Sequence, residues 1–171
     1  MTRLAFSILL CLLCLSCITD DAPTGDVYVQ VGDRLPAFTV ELTDGSTFDS
    51  SASGGSVTFI MFFDTTCPDC RATLPRVQQV YEAYRDRGVC FALISRAEGA
   101  ADVAAYWAQE GLTLPYYADG TRTLYDLFAD ATIPRIYIAD SQGAVCYMHT
   151  DNPLPTVDIL SDELSALLEQ R

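Results

Sequence analysis

Seven consecutive residues, Val57 to Phe63, read VTFIMFF, and Thr58 is the one polar member. A strand with one wet face would alternate apolar and polar side chains, so so continuous a run fits a central strand covered on both faces. The period then changes. Leu74, Val77, Val80, Tyr81 and Tyr84 recur at spacings of three and four, which predicts a helix with one apolar stripe that Gly88 ends. Val89 to Ile94 reads as the next strand. Ala101 to Glu110 carries Val103, Tyr106 and Trp107 at helical spacing and stops at Gly111; Trp107 and the tyrosines read as packing. Pro115 to Ala118 is a brief extended piece and Thr121 to Phe128 a short helix. Ile136 to Ala139 and Ala144 to Met148 flank a turn composition and suggest a hairpin. Ile159 to Leu168 closes as an amphipathic helix with Asp162 and Glu163 toward its N-terminal end. Upstream, Val40 to Leu42 and Thr47–Phe48 surround Asp44–Gly45, a hairpin signal, followed by a small-residue loop from Ser50 to Ser56. This order predicts an α/β sandwich with a mixed sheet.

The segment before this pattern is of another kind. After Thr2 and Arg3 an apolar stretch runs from Leu4 to Leu15, and the chain turns acidic at Asp20 and Asp21. The stretch is shorter than the roughly 20 residues that span a bilayer but suits the apolar core of a secretory signal. Residues 1–16 are therefore read as a signal peptide. Leu15–Ser16–Cys17 resembles the bacterial lipoprotein signal, with Cys14 where that pattern prefers leucine; this implies a lipid on Cys17. Residues 17–26 form a tether and residues 27–171 a single domain, about 145 residues, which suffices for a sizeable core.

The chain carries a formal net charge of −13, and losing Arg3 with the signal lowers it to −14. It contains no lysine. So acidic a surface repels phosphate backbones, which argues against nucleic acid as a partner.

Seven cysteines divide by position. Cys11 and Cys14 belong to the signal, Cys17 is the lipid candidate, and Cys67 and Cys70 form a close pair. Cys90 and Cys146 lie in apolar runs and read as small buried hydrophobes, with mutual pairing as the alternative. Cys67–Pro68–Asp69–Cys70 stands where the central strand gives way to a helix. With Cys67 at the N-cap, Pro68 occupies N1, where its missing N–H costs nothing. Cys67 is then expected to face free amides and the positive helix end, which favour thiolate, and Cys70 falls on the same side to resolve a mixed disulfide. The charge of Asp69 opposes that thiolate, so Cys67 is expected to be less acidic than beside a neutral residue. Pro75 lies inside the helical pattern and predicts a kink, and Ile133–Pro134 precedes a strand.

FFDTTCPDCRATLP and ATIPRIYIADSQG, in this order around the α/β pattern, resemble the thioredoxin superfamily, specifically the membrane-tethered bacterial thiol-disulfide oxidoreductases of the TlpA and ResA type. The resemblance runs from Val31 to Leu168. It implies a thioredoxin-like sandwich with an N-terminal hairpin and an insertion matched by Ala101 to Phe128. A cis bond before Pro134 is expected, with that proline facing the Cys67–Cys70 pair and Ile133 offering its backbone to a substrate. The activity implied is exchange with disulfide-containing or dithiol proteins, as a reductase recharged by a membrane electron donor. The protein is expected to be a monomer without cofactor or metal, in the bacterial cell envelope, held to the membrane only by a lipid anchor. Two departures stand out: Thr66 replaces the usual Trp before the first cysteine, and Met61 replaces a buried polar or acidic residue. Asp64 is a candidate for handling the Cys70 proton, although a solvated loop carboxylate is its plainer reading. Arg135 is a candidate for steering an acidic partner or offsetting Asp69, although a surface role is plainer.

Three other chemistries compete. A structural disulfide in an exported binding protein would resist biological reductants. A zinc site would need Cys146 and His149, which point to opposite sides of a strand; His149 reads more simply as exposed. A peroxidase would want Thr and Pro where the chain has Asp64 and Ile60.

Overall fold

The computed structural model describes residues 27–51 and 55–170; the signal, Cys17 and the tether lie outside the described residues. The hairpin forms as β1 (Thr39–Glu41) and β2 (Thr47–Asp49), with Val40 opposite Phe48. VTFIMFF becomes β3 (Val57–Phe63), buried along its whole length. α1 (Pro68–Tyr84), β4 (Val89–Ser95), α2 (Ala100–Glu110), β5 (Tyr116–Ala118), β6 (Arg135–Ala139), β7 (Val145–His149) and α3 (Val157–Glu169) follow. The five-stranded sheet has the order β5-β4-β3-β6-β7, and the hairpin is a separate two-stranded sheet.

Strands β3, β4 and β5 are parallel neighbours. Right-handed crossovers between consecutive parallel strands send their helices to one face, and the side chains agree. Phe59 stacks on Phe91, which meets Tyr81 of α1, and Phe63, on the same face, meets Trp107 of α2. Helix α3 joins them through Tyr84, whose hydroxyl donates to Ser161 O at 3.0 Å. On the opposite face Phe62 packs against Tyr125 and Phe128. Each sheet edge is met at its start by another segment: Thr43 N–H donates to Tyr116 O at the first residue of β5, and Val145 N–H, at the first residue of β7, donates to Asp33 O.

Several elements differ from the pattern reading. Helix α1 ends at Tyr84, and Gly88 serves the turn into β4 with φ 83°. It runs through Pro75 without interruption of the helical span. The helix expected over Thr121 to Phe128 shortens to a 3-10 turn at Tyr125–Leu127. The buried Asp119 carboxylate accepts the amides of Thr121 and Leu124 at 3.2 and 2.7 Å, and these local bonds compete with helix formation. In β7 the register steps from Tyr147 opposite Ile138 to Val145 opposite Ala139, so Cys146 is the extra residue of a β-bulge.

The topology gathers three loops. Strands β3 and β4 end side by side, and β6, antiparallel to β3, begins there with Arg135 opposite Phe62. The segments after β3, after β4 and before β6 therefore meet at one end of the sheet, where open α/β sheets place their sites.

Candidate active site

The turn after β3 is built from polar bonds. Asp64 Oδ1 accepts the amide of Thr66 at 2.8 Å and its hydroxyl at 2.6 Å, and Asp64 O accepts Cys67 N–H at 3.1 Å. Asp64 is thus a half-buried turn-forming carboxylate rather than a freely solvated one, and its Oδ2 lies 3.8 Å from Arg96. Cys67 stands at the N-cap of α1 with φ −78° and ψ 121°, and Pro68 opens the helix as expected. The Cys67 sulfur makes no capping bond to the helix amides; it lies 3.8 Å from Ile133 O and also meets the Cys70 thiol. Asp69 and Pro68 are exposed in the first turn.

Cys70 is fully buried, and both thiols are free. Burial pushes the Cys70 thiol far above its ordinary range. The Asp64 backbone opposes that shift, whereas the neighbouring Cys67 and the Asp64 charge add to it. The pair is therefore asymmetric: one half-buried sulfur reaches solvent, and one is held protonated beneath it.

The bond before Pro134 is cis, as is that before Pro153, and Ile133 and Pro134 are both buried. Arg135 is 1% exposed, which overturns its surface reading and leaves it unable to steer a partner directly. It begins an interior strand, and its Nε donates to Thr132 O at 3.2 Å while Nη1 lies 3.9 Å from Met148 Sδ. Burial raises the phenols of Tyr125 and Tyr137, the latter to about 12, and the Arg135 charge pulls both the other way.

The remaining cysteines lie elsewhere. Cys90 is exposed, against the buried reading, because it faces an open cavity of about 510 Å³ beside Phe48 and Asp49 of the hairpin. Cys146 is half-buried on β7. Their strands are three spacings apart in the sheet, roughly 14 Å, beyond disulfide reach. His149 is half-buried rather than exposed, and its Nε2 lies 2.7 Å from Glu163 Oε2.

Pattern reading missed Glu98. Its carboxylate binds the amide and hydroxyl of Thr65 at the turn before Cys67, yet 33 positions separate the two residues and no motif marks either. Tyr106 was legible only as packing, which it does provide, but burial raises its phenol, and the Arg71 guanidinium lies 5.2 Å over its ring. Thr65, Thr66, Arg71, Glu98, Asp102 and Tyr106 line an open groove of about 480 Å³ beside the turn that carries Cys67.

A family model described as Redoxin matches residues 30–164. The chain is similar to the thiol-disulfide oxidoreductase ResA of Halalkalibacterium halodurans, 22% identical over 121 residues that cover 71% of this chain and 69% of the relative. ResA of Oceanobacillus iheyensis is 28% identical over 120 residues, covering 68% of this chain and 62% of the relative. A thiol:disulfide interchange protein of the thioredoxin family from Chlorobium tepidum TLS has a similar fold, with a TM-score of 0.69 at 24% identity over 82% of this chain and 98% of that one. StoA from Bacillus subtilis gives 0.64 at 20% identity over 75% and 96%. At these identities the structural likeness establishes a thioredoxin-like fold.

Proposed function

The chain belongs to the redoxin family, and from that premise we propose that Cys67 and Cys70 are the dithiol of a protein thiol-disulfide oxidoreductase acting as a reductase in the bacterial cell envelope. The observation that carries this reading is the asymmetry of the pair, a reachable Cys67 at a helix start above a fully buried Cys70. Exchange needs one attacking thiol and one that stays protonated until a mixed disulfide forms.

The Cys67 thiolate attacks one sulfur of a client disulfide. That S–S bond breaks, a Cys67–client disulfide forms, and the departing client sulfur takes a proton. Cys70 then loses its proton and attacks Cys67 Sγ, which releases the second client thiol and leaves Cys67 and Cys70 oxidised. Two electrons have passed to the client. A membrane electron donor returns the pair to the dithiol. Ile133, beside the Cys67 sulfur, offers its backbone to an extended client segment. Among the described residues no helix is long and apolar enough to cross a membrane, and attachment through a lipid on Cys17 fits an envelope protein whose client is reached from the membrane surface.

The test is the reduction potential of the pair in a soluble chain beginning at Val27, read by trapping in glutathione or dithiothreitol buffers. A reductase gives a value below about −230 mV; one near −120 mV indicates an oxidant, and a pair that cannot be cycled indicates a structural disulfide.

A further inference from the structure

Thr65 is two residues before Cys67 and only 7% exposed, so its amide and hydroxyl need protein partners. One carboxylate serves both. The amide donates to Glu98 Oε2 at 2.6 Å and the hydroxyl to Oε1. Glu98 is itself tied down, because Ser95 Oγ donates to its carbonyl oxygen at 3.0 Å. The turn gripped in this way is the one whose Asp64 carbonyl accepts the Cys67 amide. Thr66, the residue between, is exposed and adds little packing. Hydrogen bonds to a charged acceptor are about twice as strong as neutral ones, so this strut adds two strong bonds to the Arg96 N–H to Phe63 O bond and the Arg96–Asp64 pair that also join the segment after β4 to this turn.

We propose that Glu98 is a positioning residue for Cys67. It touches no reacting atom. Through Thr65 it fixes the turn from Asp64 to Cys67, and so the place of the Cys67 sulfur over the start of α1 and beside Ile133 O. The strut forms part of the wall of the groove next to the nucleophile, where a client side chain flanking the attacked sulfur would rest. The rate effect rests on the exchange reading above; the effect on Cys67 itself does not.

Geometry and charge are separable by substitution. Glu98→Gln removes the charge but keeps an oxygen for the Thr65 amide and an N–H for the Thr65 hydroxyl. Glu98→Ala removes both bonds, and Thr65→Val removes one bond and keeps the charge. The readouts are Cys67 alkylation by iodoacetamide from about pH 5 to 9, in a Cys90→Ser background, and the rate of exchange with oxidised glutathione. Glu98→Ala is expected to displace the alkylation profile and slow exchange about tenfold, since small misplacements of a reacting group are costly in rate. Glu98→Gln stays within about twofold, Thr65→Val falls between, and Thr65→Val with Glu98→Ala is no slower than Glu98→Ala alone.

Glu98→Gln tracking Glu98→Ala while Thr65→Val matches the unaltered chain would make Glu98 a charge effect and overturn the proposal, as would all variants lying within about twofold of the unaltered chain. Should Glu98→Ala fail to fold, Thr65→Val and Glu98→Gln decide alone: altered Val with unaltered Gln supports the strut, and the reverse removes it. Alkylation needs no client. A chain whose Cys67 profile responds as expected but which reduces no disulfide would end the exchange reading and leave the positioning role standing.

Discussion

Cys67 Sγ stands 3.8 Å from the carbonyl oxygen of Ile133, across 66 positions of sequence. Antiparallel pairing of β3 with β6 brings them together, because the register that sets Phe62 opposite Arg135 delivers the end of one strand to the start of the other. The proposed nucleophile and the backbone proposed to receive a client thus belong to one sheet end, and a client cysteine on Cys67 would have its flanking residues beside Ile133.

Among the four described cysteines, Cys90 is exposed, Cys67 and Cys146 are half-buried, and Cys70 alone is buried. In the reduced native chain iodoacetamide is expected to label Cys67 and Cys90, whereas Cys70, with no exposed surface, is labelled only after unfolding. Peptide mass mapping of a time course reads this directly. Labelling of Cys70 at the rate of Cys67 would contradict the arrangement. The exposed Cys90 also makes a Cys90→Ser background the proper one for redox work.

The raised Cys70 thiol has a consequence for stability. Its folded value lies above the ordinary thiol range, chiefly through burial, whereas in the unfolded chain it ionises near about 8.5. Above that pH the unfolded state binds fewer protons than the folded state, so stability falls as pH rises. The contribution is whole below about pH 8 and is lost progressively toward the folded value. Thermal unfolding of the reduced chain is therefore expected to drop more steeply from about pH 8 to 10 than that of Cys70→Ser, whose hydroxyl does not titrate there. Parallel curves for the two would remove the prediction.

What the sequence made legible follows from range. VTFIMFF announced a buried central strand, and the stripe from Leu74 to Tyr84 announced its helix, because periodicity is local and both elements are buried along it. The placement of Cys67 and Cys70 was legible for the same reason, since the strand end and the helix start that hold them adjoin in sequence. Arg135 was misread because its burial comes from an interior sheet position that its own neighbours do not encode. Cys90 was misread in the opposite sense, since its apolar run continues although the hairpin leaves that part of β4 uncovered. Glu98 was invisible because its partner is a single threonine on another loop.

His149 and Glu163 join β7 to α3 at 2.7 Å, with side chains only 17% and 16% exposed. Partial burial should lift the pair above the weak end of surface ion pairs, to a coupling of about 0.5–1.5 kcal/mol. A double-mutant cycle of His149→Ala and Glu163→Ala in urea unfolding near pH 6 measures it. Additive losses would show that the short contact contributes nothing of its own.

Asp64 adds its charge to the forces that keep Cys70 protonated. Its two oxygens are already engaged, Oδ1 with Thr66 and Oδ2 near Arg96, which argues for an electrostatic influence on Cys70 rather than for taking its proton. Asp64→Asn keeps an oxygen for the Thr66 bonds and removes the charge, so Cys70 should ionise more readily. The gain in thiolate is partly cancelled by the lower nucleophilicity of a more acidic thiol, so release of the mixed disulfide is expected to be faster at pH 7, by no more than about twofold. The reduction potential at that pH should hardly move, since Cys70 stays protonated in the resting dithiol of both chains. Rapid-quench trapping of the Cys67–client disulfide decides the sign. Slower release in Asp64→Asn, with the potential unchanged, would instead make Asp64 the acceptor of the Cys70 proton.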